Sequence, residues 1–166
     1  MPDEALLRVY TRNGAFTDCY ATELPGIFSH AQYVQAFYTT WVFKLERVIL
    51  KWAVARPSTD DQARQLAQGS IDAFSAWRVE SRSENQLLMA DFQGRTRSWL
   101  MVVPVPGGDK ARTRLYFGSA VVPERDSVTG TSTLGFVFSA LMGFHKLYSH
   151  VLLYAARSRL RSARVA

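Results

Sequence analysis

Apolar residues recur along this chain at two periods, and the change from one to the other divides it. Between Leu134 and Leu160, Val137, Leu141, Phe144, Tyr148, Val151 and Ala155 follow at steps of four and three, which keeps them on one face of a helix. Leu134, Phe138, Met142 and Leu152 widen that stripe, while Ser139, Lys146, Ser149, His150 and Arg157 interrupt the other side. A helix of that span is roughly 40 Å long, so it needs a large surface to lie on.

Nearer the N-terminus, Thr17 to Leu24 alternates in part and ends at Pro25-Gly26, which predicts a short strand and a turn. Ser29 followed by Gln32 is a capping-box pattern, and it opens a helix expected to run from Ala31 to Trp52 with Tyr33, Phe37, Trp41, Leu45, Val48 and Trp52 on one face. Pro57 stops that helix. Ser58 to Asp61 supply cap oxygens and first-turn carboxylates for another, and Gly69 ends it.

After Ile71 the period falls to two. Trp77 to Ser83, Gln86 to Phe92, Thr96 to Val105 and Arg112 to Val122 read as four strands of an antiparallel meander. In the third of these, Arg97, Trp99, Met101 and Val103 alternate with Ser98, Leu100, Val102 and Pro104, so both faces are largely apolar and the strand is expected to be covered on both sides. In the last, Tyr116, Gly118, Ala120 and Val122 share a face, and small residues beside aromatics suit a bent sheet. Taken together the pattern predicts an α+β protein: a strand, two helices, a run of strands and a long last helix.

That order resembles the helix-grip fold of the START-like and birch-pollen-allergen-like (SRPBCC) superfamily. The resemblance spans roughly Asp18 to Leu160, and six motifs are similar to bacterial relatives of unknown function: ELPG at 23–26, FKLER at 43–47, FSAWRVESR at 74–82, GRTRSWL at 94–100, RLYFGSA at 114–120 and FHKLYSHVLL at 144–153. It implies a curved antiparallel sheet wrapped around the C-terminal helix. It also implies an apolar cavity between the two that takes a lipid, a polyketide or another hydrophobic small molecule, some relatives being cyclases. The superfamily commonly shows more strands than the five legible here.

Composition changes this picture little. With 166 residues and 48% hydrophobic content, one domain is expected, with 1–16 as a segment outside the core and 161–166 as a basic tail. The net charge of +6 invites a nucleic-acid partner, but four arginines, Arg157, Arg159, Arg161 and Arg164, fall in the last ten residues. Much of the excess is therefore a tail, which argues against nucleic acid and admits weak contact with a membrane surface; a homodimer is the other partnership left open. The N-terminus carries acids before any apolar run, and the longest uncharged stretch, Ser127 to His145, holds too few apolar positions for a bilayer span, so a cytoplasmic protein without a transmembrane segment is expected.

Candidate chemistry is sparse. Cys19 has no partnered histidine near it and reads as a half-buried structural residue. His145 and His150 lie about 140° apart around their helix, so no metal site is expected. No nucleophile elbow, phosphate loop or dinucleotide fingerprint occurs, and no cofactor is expected. If Trp99 and Met101 face the concave side, Arg97 does too, and its guanidinium then needs a carboxylate from Asp91, Glu80 or a ligand; the alternative is a cross-strand ion pair at the surface. His145 and Tyr148 sit where a lid would lie. The candidate cavity lining is therefore Trp41, Asp91, Arg97, Trp99, Met101, Tyr116, Leu141, Phe144, His145 and Tyr148. The expected function is binding of a hydrophobic small molecule or lipid. The alternatives are an enzyme of the same fold using Arg97, Asp91 or His145, and a peripheral membrane or protein-interaction module.

Overall fold

The structure is a computed structural model that describes residues 1–44, 58–106, 111–122 and 136–165, excepting the side chains of 136–147 and 164–165. Its elements in chain order are α1 (Arg8–Arg12), β1 (Phe16–Pro25), α2 (His30–Tyr38), α3 (Asp60–Ala67), β2 (Ala73–Phe74), β3 (Trp77–Ser83), β4 (Gln86–Asp91), β5 (Thr96–Val105), β6 (Arg112–Val121) and α4 (Phe136–Val165). The strands form one antiparallel sheet in the order β1-β6-β5-β4-β3-β2. With α4 packed against one face of that open sheet, the architecture is helix-grip.

The starts of α2 and α3 were encoded locally. Ser29 and Gln32 exchange side-chain-to-backbone hydrogen bonds at α2, and Thr59 and Gln62 do the same at α3. Gly69, at φ 77°, follows the end of α3. The helix expected over Ala31 to Trp52 is interrupted: α2 stops at Tyr38, and residues 41–44 are helical again. The cause is the Thr39-Thr40 pair. Their hydroxyls donate to the carbonyls of Gln35 and Phe37, and Thr40 Oγ1 then accepts from the Phe43 N–H, so it ends one helix and caps the next. The remainder of that predicted helix, from Leu45 on, lies outside the described residues.

Two strand features were not legible. β2 is only two residues long and pairs with β3 through a tight turn in which Ser75 takes φ 56°. Between Val79 and Ser81 the β3–β4 register shifts, a bulge that frees Glu80 from the ladder.

The sheet carries a hydrophobic cluster on each face. On the inner face, under α2 and α4, Leu87, Met89, Leu100, Val102, Leu115 and Phe117 meet Phe37, Tyr38, Leu152, Leu153, Ala156 and Leu160. An aromatic cluster fills its middle: Phe37 lies 5.0 Å from Phe117 and 5.2 Å from Tyr38, and Tyr38 lies 4.8 Å from Phe43 and 5.3 Å from Phe74, ring centre to ring centre. On the outer face, the N-terminal segment lays Ala5 and Leu7 against Leu88, Trp99, Met101 and Ala120. One buried amide fastens it: Gln86 Oε1 accepts from the Leu6 N–H and from Trp99 Nε1, each at 2.9 Å, while its Nε2 donates to the Glu4 carbonyl at 3.1 Å.

Candidate functional site

The connection from β1 to α2 builds one wall of the candidate site. Thr113 on β6 pins it, since its hydroxyl donates to the Gly26 carbonyl at 2.7 Å and accepts from the Phe28 N–H at 3.1 Å. Gly26, at φ 108°, turns the chain there and places Ile27 outward and Phe28 inward. Opposite, the last turns of α4 bring Arg159, Leu160 and Ala163 alongside Gln32, Gln35, Ala36 and Thr39 of the α2 segment. Between these walls lies an open groove of about 470 Å³. Its floor is Phe28, Ala36 and Leu160, all buried, and its rim is amide, hydroxyl and guanidinium; Ile27 stands at the lip, 83% exposed.

Further along α4 the inner face of the sheet turns polar. Asp18, Ser119 and Ser98 are in register on β1, β6 and β5. Asp18 Oδ1 accepts from the Ser119 N–H at 3.0 Å and from its hydroxyl at 2.6 Å, and Oδ2 accepts from Tyr20 Oη at 3.2 Å. The His150 ring sits 4.2 Å from that of Tyr20. Burial, reinforced by the Asp18 charge, pushes the Tyr20 hydroxyl up to about 12. The row welds β1 to β6 and puts hydrogen-bonding groups in an otherwise apolar face. A signal for it was present, because Asp18 shares a strand face with Tyr20 and Leu24.

Of the residues singled out from the sequence, Arg97, Trp99, Met101 and Tyr116 lie on the outer face of the sheet, away from α4. Trp99 is fully buried there, in the cluster with Leu7, and both side chains approach Gly118. Arg97 meets Glu80, the bulged residue, at 2.6 Å, donates to Tyr10 Oη at 2.7 Å, and has its guanidinium 4.8 Å from the centre of the Tyr10 ring. Tyr10 in turn donates to Glu80. Burial first, and then the bond to Glu80, raises the Tyr10 hydroxyl above the ordinary tyrosine range. This trio ties α1 to the sheet.

Asp91 closes the β4–β5 turn, its Oδ1 accepting from the Arg95 N–H at 2.7 Å and the Thr96 N–H at 3.2 Å. It does not converge with Arg97 in an interior pocket. Trp41, displaced from the inner stripe by the Thr39-Thr40 break, is 71% exposed. Tyr148 packs, half-buried, against the main core. The side chains of Leu141, Phe144 and His145 lie outside the described residues. None of the groove-lining residues was among those predicted. Their elements were legible, but their meeting depends on where α2 stops.

Comparison with known proteins adds no family: no family model matches the chain, and no curated protein matches it. Among solved structures, a protein from Thermus thermophilus aligns over 89% of this chain and 99% of its own at 11% identity and a TM-score of 0.32. Norcoclaurine synthase from Thalictrum flavum aligns over 92% of this chain and 96% of its own at 15% identity and a TM-score of 0.21. Likenesses at this level assign neither a fold family nor a function. Among the described residues, no helix is long and apolar enough to cross a membrane.

Proposed function

We propose that this chain is a helix-grip binding protein, of the START-like kind its motifs resemble, that takes an apolar small molecule or lipid in the groove between α2 and the end of α4. The observation that carries the reading is the groove itself. Its volume of about 470 Å³ falls among those typical of small-molecule sites, and it combines an apolar floor with a few polar groups at the rim. Burying hydrocarbon on Phe28, Ala36 and Leu160 gains about 25 cal/mol per Å² removed from water. Along the described part of α4, the space between helix and sheet is occupied by Leu152, Leu153, Ala156 and the aromatic cluster, so the ligand is placed beside that interface and not inside it.

The test is binding of N-phenylnaphthylamine, a neutral apolar dye that brightens out of water, to the wild-type chain and to Ala163→Trp. Ala163 is an exposed helical residue on the groove wall, so a tryptophan fills the groove without entering the core. Dye affinity should fall by about tenfold or more in the variant, with the far-ultraviolet circular dichroism unchanged. Equal affinity in both proteins, or no binding to the wild type, removes the proposal.

A further inference from the structure

The two segments that wall the groove contain no carboxylate side chain. No Asp or Glu occurs between Glu23 and Glu46, and none occurs after Asp126. Beyond Asp126 the chain carries Lys146, Arg157, Arg159, Arg161 and Arg164, five cations with no compensating acid, which accounts for most of the net charge of +6. The groove is thus set between an uncharged wall and a cationic one, and Arg159 is the charged residue in its lining.

Elsewhere in the fold guanidinium groups meet carboxylates: Arg97 meets Glu80, Arg82 meets Asp72, and Arg112 and Arg114 share Glu23. Arg159 makes no ion pair among the described residues, and with both walls free of acids none is at hand along them. One neighbouring polar group also favours an acceptor: Gln32 spends its Oε1 on the Ser29 N–H at 2.8 Å, which leaves its amide nitrogen as the free end. Among the described residues, an ammonium head would find no carboxylate in this groove. A carboxylate or phosphate head would meet a guanidinium fork with amide donors beside it.

From this we infer that the ligand is an amphipathic anion: its hydrocarbon body lies on Phe28, Ala36 and Leu160, and its single anionic head, carboxylate or phosphate monoester, is held by Arg159. The inference rests on the small-molecule reading of the groove and adds the ligand's polar chemistry to it. Arg161 is the natural control. It lies on the same helix and carries the same charge, but faces a separate hollow with Tyr154, Arg157, Ser158 and Ser162.

Displacement of bound N-phenylnaphthylamine by dodecanoate, dodecyl phosphate and methyl dodecanoate, below their aggregation concentrations, tests it in the wild type, Arg159→Gln and Arg161→Gln. In the wild type one or both anions should displace the dye about tenfold more effectively than the ester, and the arm that does so identifies the head group. Arg159→Gln should abolish that advantage, read as the ratio of anion to ester affinity within the variant; Arg161→Gln should keep it. The advantage should also shrink with added salt, because the groove is open. If the ester competes as well as both anions, or Arg159→Gln keeps the preference, or Arg161→Gln loses it equally, the anionic head is refuted while the apolar groove stands. Failure of the dye to bind the wild type at all overturns the groove reading, and this inference with it.

Discussion

Two single residues show how little slack the structure has. A Cβ on Gly118 would lie 2.8 Å from the Asp18 carbonyl oxygen, 2.8 Å from Leu7 Cδ2 and 3.0 Å from Trp99 Cε3. The first of these is backbone and cannot swing aside. Gly118→Ala should therefore cost about 1–3 kcal/mol, read as a lower urea midpoint at unchanged slope. His30, the first residue of α2, is partly buried, and its Nε2 has no hydrogen-bond partner among the described residues. Burial holds its pKa down at about 4, helped by the nearby Arg82 charge and opposed by a hydrogen bond with the Leu100 backbone. The unfolded chain takes up that proton near pH 6.5, whereas the folded one does so only near 4. Stability is thus complete above about 6.5 and is lost as pH falls toward 4, by on the order of 3 kcal/mol. Urea denaturation at a series of pH values should show this slope in the wild type, and His30→Gln should lack it.

At the scale of elements, the ends of helices decide what touches what. The Thr39-Thr40 pair was inside a continuous stripe by periodicity alone, and its own hydrogen bonds overrode that stripe. α3 is finished by a residue distant in sequence: Arg82 on β3 donates to the Leu66 carbonyl at 2.8 Å and the Ile71 carbonyl at 3.3 Å, close to Asp72. The guanidinium adds a second donor to one carbonyl in the last turn of α3, that of Leu66, which also accepts from the Gly69 N–H, and it opposes the negative end of the helix dipole. Arg82→Ala should destabilise the protein by about 1–2 kcal/mol and speed amide hydrogen exchange in α3 before that of the sheet. If exchange accelerates evenly across the molecule, the cap is not the local role of Arg82.

For the whole molecule, the consequential arrangement is a sheet covered on both sides by different parts of the chain. β5 bears the mark of it, with Trp99 and Leu100 both fully buried on opposite faces. The outer cover is short. Leu7, fully buried in the cluster with Trp99 and close to Gly118, is its central contact, so Leu7→Ala should cost about 2–5 kcal/mol. Because Trp99 then gains a water-accessible side, its fluorescence should shift to the red before global unfolding. A variant as stable as the wild type would show that the N-terminal segment only rests on the sheet.

What the sequence determined by itself were the features that depend on near neighbours: strand and helix periods, the capping box at Ser29, cap oxygens within Ser58 to Asp61, and the glycines at 26 and 69 that end a strand and a helix. From these came the order of elements and the α+β class; the helix-grip arrangement was what the resemblance implied. What only the tertiary structure decided were the faces. A strand apolar on both sides carries no parity signal, so Arg97, Trp99, Met101 and Tyr116 could not be assigned to the inner or outer face until the N-terminal segment was seen to cover one of them. The groove escaped for the same reason. It exists because α2 ends at Tyr38 and α4 reaches Ala163 beside it, a meeting of segments far apart in sequence that no local pattern of either one encodes.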